Sequence, residues 1–325
     1  VKGISMISIF VALIVDLIVG DPYWFPHPVR FIGKYIIAFQ RLVESMKLKE
    51  FGLKVAGVIL TLTTVGITFS ITFFLLKFCK DISIYLYFII NVFIMWTTVA
   101  AKCLASEGIK IYKIIKTGDI VSARKQLSYI VGRDTENLNE SQIAKAVIET
   151  ISENCSDGVI APLFYMFIGG APLAMAYKAA NTLDSMVGYK EGIFLNFGWA
   201  SAKFDDLVNF IPARITGIMM IFSAFIFGYD YKNSAYIFKR DRKNHSSPNS
   251  AHPEAAVAGA LGVELGGINY YFGKPVVKPT IGIGKNILDV EYIKDSIKLM
   301  YGAYVFSILI FAIVKGVISH GISWW

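Results

Sequence analysis

The chain has 325 residues, of which 55% are hydrophobic and 17% charged; its formal net charge is +8 and its mean hydropathy +0.54. A soluble globular domain carries about 25% charged residues, so this composition excludes an ordinary soluble protein and points to an integral membrane one. Cys79, Cys103 and Cys155 have no paired spacing and indicate neither a disulfide framework nor a zinc site. The positive balance is that of basic cytoplasmic loops rather than of a nucleic-acid surface.

Apolar runs able to cross a bilayer, which needs about 20 residues, occur at 3–19, 52–76, 82–101, 210–228 and 299–318. The predicted fold class is therefore all-α: a polytopic integral membrane protein of about five transmembrane helices, with amphipathic or re-entrant helices carrying a polar site. It is read as one membrane domain, 1–325, in three stretches. Residues 1–101 hold the N-terminal spans and the PHPVR loop, 102–228 the polar-motif core, and 229–325 a cytoplasmic loop and the C-terminal span. The first run contains Asp16 and leads into GDPYWFPHPVR with no small-x-small cleavage pattern, which predicts a retained helix rather than a secretion signal.

After that run, Arg30, Lys34, Arg41, Lys47, Lys49 and Lys54 mark a cytoplasmic segment. The loop before them presents Asp21, His27 and Arg30 on a proline-stiffened turn. His27 reads first as a locally bonded turn residue and second as a general base or phosphate ligand. Further on, GRDTENLNE breaks a basic helical segment and predicts a capped helix from near Asn139. Arg133 and Asp134 lie just before it, and an arginine fork suits phosphate or carboxylate.

Glu149, Glu153 and Asp157 follow at i, i+4 and i+8, which stacks three carboxylates on one helix face. Bare, such a face repels itself; a hard cation such as Mg²⁺ relieves it. A solvated acidic face is the alternative. Cys155, within it, reads as a small packing residue rather than a nucleophile. Residues 159–180 form either one span or a re-entrant hairpin turning at Gly169-Gly170. Asn181, Asp184 and Ser185 then share a helix face, Lys203 pairs with Asp206 and Asp205 with Asn209, and Arg214 lies beyond Pro212. A salt-bridge network locking helices is one reading of this density. A functional site is the favoured one, because ionisable groups in apolar surroundings are costly unless they face a cavity, a ligand or each other. The late loop offers Ser247 and Asn249 in a Ser-Pro-Asn turn, and Glu254 near the start of a small-residue helix. Gly282-Ile-Gly284-Lys285 lacks P-loop spacing.

Taken in order from Asp16 to Gly273, the elements GDPYWFPHPVRFIG, GRDTENL, ENCSDGVIAPLFY, GGAPLAMAYKAANTLDSMVGYK, FGWASAKFDDLVNFIPAR and SPNSAHPEAAVAGALGVELGG resemble the adenosylcobinamide-phosphate synthase (CobD/CbiB) family of cobalamin biosynthesis. The resemblance implies an ATP-dependent acid–amine ligase at the cell membrane, multi-pass, with its active site facing the cytoplasm. It implies amide formation between adenosylcobyric acid, itself a cobalt corrinoid, and (R)-1-amino-2-propanol O-phosphate or aminopropanol, giving adenosylcobinamide phosphate. ATP and Mg²⁺ are the expected cofactors. The expected partners are the two substrates, the lipid bilayer and other cobalamin-pathway membrane enzymes, with no nucleic acid.

Chemistry rather than the resemblance assigns roles. Glu149, Glu153, Asp157 and Asp205 are expected to serve the metal, and Lys203, Asp184, His27 and Asp206 catalysis. Substrate binding is expected from Arg30, Arg133, Asp134, Asn181, Asn209, Arg214, Ser247, Asn249 and Glu254. Tyr270 and Tyr271 read either as a platform for the corrin or as interfacial anchors. A membrane transporter of a corrinoid or other small solute is the competing class; an alcohol phosphotransferase lacks its Asp-rich motif.

Overall fold

A computed structural model of the chain describes residues 2–22, 24, 27–189 and 191–321. Tyr23, Phe25, Pro26 and Lys190 lie outside the described residues, so the rigid-turn expectation is read here only at Asp21, His27, Pro28 and Arg30. In chain order the elements begin with α1 (Lys2–Val19), α2 (Val29–Ser45), α3 (Glu50–Ile82), α4 (Ile84–Trp96), α5 (Ala101–Lys116), α6 (Ile120–Ser128) and α7 (Glu140–Asn154). A π-helical turn, Cys155–Ile160, leads into α8 (Ala161–Val187), α9 (Phe194–Phe197), α10 (Trp199–Val208) and α11 (Phe210–Ile226). Then come α12 (Tyr231–Asp241), α13 (Ala251–Leu261), the strands β1 (Glu264–Tyr271) and β2 (Lys274–Gly282), and α14 (Tyr292–Gly321).

The architecture is helical and polytopic. Four stretches are long and apolar enough to cross a bilayer: Glu50–Ile82, Ile84–Lys116, Glu140–Val187 and Tyr292–Ile318. Counted as one span, the broken pair Trp199–Val208 and Phe210–Ile226 is a fifth. The set differs from the five runs read in the sequence. The first run forms an apolar helix that falls short of span length over Met6–Val19, while 140–187 joins the candidates. Only 22% of the apolar window of α3 is buried, so Leu62, Ile71, Phe74 and Phe78 are left to face lipid.

Local chemistry sets the boundaries. Ser83 ends α3 and caps α4, its Oγ accepting from the Tyr85 N–H at 3.2 Å. Asn139 and Gln142 form a reciprocal capping box at the start of α7, where the sequence predicts a capped helix. Helix α8 breaks at the anticipated glycine pair. Gly170 has φ +67°, a left-handed conformation open to glycine, and Pro172 then occupies the first turn of the second half.

The chain divides into two compact units. One contains the residues up to Ala100 together with Ala161–Asn209. Here α3 packs against α8, α4, α9 and α10, and α1 lies on α4. A Cβ at Gly57 would stand 2.0 Å from the Phe197 carbonyl oxygen, so glycine permits α3 to approach α9 that closely. The other unit contains Ala101–Ile160 and the chain from Phe210 onward. Helix α13, rich in alanine, is buried along its whole length, and α11, α12, α7 and α14 pack around it. In the region read as a loop, β1 and β2 form one antiparallel hairpin with a register shift between Leu265 and Gly267.

Candidate functional site

In the second unit, α7 projects Glu149 and Glu153 one turn apart, and several buried groups gather round them. Glu149 Oε2 pairs with Arg133 Nη2, and its Oε1 accepts from the Gly266 N–H at 2.7 Å. Arg133 Nη1 donates to Asn269 Oδ1 at 2.6 Å. Ser250 Oγ donates to Glu153 Oε1 at 2.7 Å. Arg133, Glu149 and Glu153, with His245, Glu254 and Lys278, line a cavity of about 20 Å³, room for roughly one water. Glu254 is 5% exposed. Burial pushes its carboxyl well above the usual range, and Glu153 and Glu149 add to the shift, whereas Lys278 and Arg133 oppose it. His245 is held below its ordinary value, chiefly by burial, and its Nδ1 accepts from the Ser247 N–H at 3.0 Å.

A second cavity, of about 830 Å³, has Arg133, Asp134, Gln142, Asn269 and Tyr270 among its walls. That volume suits a small-molecule substrate. Arg133 lines both spaces. Asp134 ties the hairpin turn, its carboxylate accepting from the N–H groups of Phe272 at 3.1 Å and Gly273 at 2.7 Å. Arg214 donates to the Phe210 carbonyl at 2.5 Å and to Asn249 Oδ1 at 3.4 Å, with its guanidinium 3.4 Å from the Phe210 ring centre. Ser247 Oγ accepts from the Asn249 N–H at 3.2 Å, so Ser247 and Asn249 shape the turn that delivers Ser250.

The acidic face ends sooner than i, i+4, i+8 spacing implies. Glu149 and Glu153 lie on α7, but Asp157 falls in the wider π turn. Both Glu149 oxygens are already engaged. Among the described residues no group of three or more His, Cys, Asp or Glu side chains is placed to hold a metal ion. As arranged, this donor set does not fit a protein-bound Mg²⁺.

The first unit holds the remaining sequence candidates: His27, Arg30, Asn181, Asp184, Lys203, Asp205, Asp206 and Asn209. His27 Nδ1 accepts from the Val29 N–H at 3.2 Å, a local turn bond, and its Nε2 lies 4.0 Å from Asp21 Oδ1. Burial lowers His27 to about 4, with Lys178 contributing, and raises Asp21 to about 6 against the pull of the same lysine. Arg30 is exposed. Lys203 reaches Asp206 at 3.4 Å, and Asn209 Nδ2 donates to Asp205 Oδ2 at 2.9 Å, so both pairs predicted on α10 form.

The sequence profile of the CobD/Cbib protein family matches residues 9–300. The chain belongs to the CobD/Cbib family. It is similar to the cobalamin biosynthesis protein CobD of Clostridium tetani, with 49% identity over 95% of this chain and 97% of the relative. The protein of the same name from Clostridium perfringens is 52% identical over 88% of this chain and 90% of its own. The one from Citrobacter koseri is 43% identical over 94% and 96%. No solved structure matches the chain.

The pocket of this CobD/Cbib chain includes residues that motif reading passed over. Lys278 and His245 line it, the first on the hairpin and the second ahead of the Ser-Pro-Asn turn, while Asn269 and Ser250 hold its Arg133 and Glu153. Ser250 was open to discovery, since a turn ahead of a helix often supplies a hydroxyl to a nearby acceptor. Lys278, in a strand that sequence reading took for loop, carries no spacing signal.

Proposed function

We propose that this chain is the cobalamin-biosynthesis enzyme that joins adenosylcobyric acid to aminopropanol, or its O-phosphate, in an ATP-dependent amide ligation at the cytoplasmic side of the cell membrane. The names of its relatives support the pathway. The observation that carries the chemistry is that Arg133 lines both a substrate-sized cavity and the buried glutamate pocket.

A carboxylate does not condense with an amine at neutral pH, so it must first acquire a leaving group. MgATP enters as substrate, with the metal carried on the nucleotide. Transfer of its γ-phosphoryl group to the propionate oxygen forms an acyl phosphate and releases ADP. The amine nitrogen then bonds to the acyl carbon, the carbon–oxygen bond to phosphate breaks, and the nitrogen's proton passes to a base. Such transfers depend on positioning and charge neutralisation. In this reading Glu149 and Asn269 lock the Arg133 fork, which with Lys278 steadies anionic oxygens. Glu254, kept neutral by burial, donates a proton to the departing phosphate, and Glu153, oriented by Ser250, accepts one from the amine.

The variant Glu254→Gln keeps the shape and a hydrogen-bond donor but has no transferable proton. Its kcat for amide formation is expected to fall by about 10²–10⁴ with an unchanged unfolding midpoint. Wild-type kcat in this variant would remove the pocket from the chemistry.

A further inference from the structure

In the second unit, Ile211, Ile218, Phe222 and Phe225 of α11 are all exposed, and their spacing puts them on one helix face. Arg214 falls on the same face, three residues after Ile211 and four before Ile218. As half of the broken pair that counts as a span, α11 offers this stripe to lipid, with an arginine near its N-terminal end. Arg214 rests on Phe210, with its Cζ 3.4 Å from the ring centre. Its Nη1 donates to the Phe210 carbonyl at 2.5 Å and to Asn249 Oδ1 at 3.4 Å; Nη2 and Nε have no hydrogen bond among the described residues.

A second arginine stands close by. One turn past Arg214, a Cβ at Gly217 would lie 2.3 Å from Phe238 Cε2 and 3.0 Å from the His252 carbonyl oxygen, so α12 and α13 both press on α11 here. The Phe238 ring centre is 5.7 Å from that of His252 and 5.9 Å from Cζ of Arg242, the C-cap of α12. Both arginines disfavour a charge on His252, in line with their closeness to it. No ion pair among the described residues involves Arg214 or Arg242. The neighbouring acid, Asp241, is already engaged: Arg240 donates to each of its oxygens at 2.6 Å, and the Gly282 N–H adds a bond at 2.8 Å.

Two guanidinium groups near one another with no carboxylate between them repel, and an oxyanion relieves the repulsion. We propose that Arg214 and Arg242 bind the phosphate of an anionic phospholipid, whose acyl chains run along the exposed stripe of α11. Guanidinium forks match phosphate oxygens two at a time, and aromatic rings hold such forks in place. Lys239, Arg240 and Lys243 surround Arg242 in sequence, and basic clusters beside a span draw anionic headgroups. The apolar stripe that contains Arg214 suits a lipid better than a free phosphate. Arg214 is then a lipid ligand rather than the substrate ligand expected from the sequence, and nothing in the proposed ligation is required for this.

Native mass spectrometry of the delipidated full chain in detergent, titrated with dioleoylphosphatidylglycerol, tests it. One phosphatidylglycerol should be retained about tenfold more tightly than dioleoylphosphatidylcholine. Arg214→Gln and Arg242→Gln should each weaken that binding by about tenfold, with the unfolding midpoint unchanged; Arg242→Gln decides alone if Arg214→Gln fails to fold. The double variant Lys239→Gln/Lys243→Gln removes two neighbouring charges and should leave the binding as it was. Inorganic phosphate and glycerol 3-phosphate carry the charge without the chains and should not displace the lipid at equal concentration. Equal retention of phosphatidylcholine, or wild-type affinity in the arginine variants, would overturn the assignment. So would an equal loss in the lysine variant, the mark of general surface charge, or displacement by glycerol 3-phosphate, the mark of a free-phosphate site.

Discussion

Arg133 is tied by two side chains, Asn269 and Glu149, and both it and Glu149 are nearly buried. Removing one partner of such a pair leaves an uncompensated charge, which costs about 3–5 kcal/mol. Arg133→Met should therefore destabilise the folded chain by that amount in denaturant unfolding, and the double variant Arg133→Met/Glu149→Gln should recover most of it. A second prediction concerns acid. Burial, followed by the charge of Arg214, holds His252 at about 4 against an ordinary 6.5. The folded state thus favours neutral imidazole. Its contribution to stability is complete above 6.5 and is lost as pH falls towards 4. The unfolding midpoint should drop across that window, and His252→Gln should flatten part of the drop. At this scale the sequence exposed Arg133, Glu149, Glu153 and Glu254, because charge in apolar sequence is conspicuous. It hid Lys278 and His245, whose importance comes from distant chain segments meeting.

Among the elements, the capping box of α7 and the glycine break of α8 were legible because each depends on neighbours in sequence. The hairpin was not. Gly266 and Gly267 interrupt the alternation of β1, and Pro275 and Pro279 interrupt that of β2, so the period-two signal is lost. Its hold on the rest of the unit explains why it forms. Asp241 accepts from the Gly282 N–H at 2.8 Å, while Arg240 donates to the Gly282 carbonyl at 2.9 Å. Gly282 has φ +98°, and a Cβ there would stand 2.2 Å from the Val263 carbonyl oxygen. Gly282→Ala should cost roughly 1–3 kcal/mol and loosen the strand that brings Lys278 to the pocket. Gly132→Ala, with nothing within 4 Å of the added carbon, should leave the unfolding midpoint unchanged.

At the scale of the whole molecule, composition alone placed the chain in a membrane, and the apolar runs gave most of its long helices. What linear order concealed was the grouping of the polar motifs. Glu149 and Asp205 both sit in acidic, helical sequence, yet the chain leaves one compact unit at Ile160 and returns to it at Phe210. Each unit has its own polar cluster. One gathers three glutamates with Arg133 and Lys278; the other holds Asp205 through Asn209 and, behind it, Tyr177. The proposed reaction forms an amide at the expense of ATP. The decisive measurement incubates the purified chain with adenosylcobyric acid, aminopropanol phosphate and MgATP and follows corrinoid product and ADP together. Equal yields of amide and ADP, with neither formed when the amine is omitted, are the predicted result. A folded, corrinoid-binding preparation that yields neither would contradict the ligase account and favour corrinoid transport.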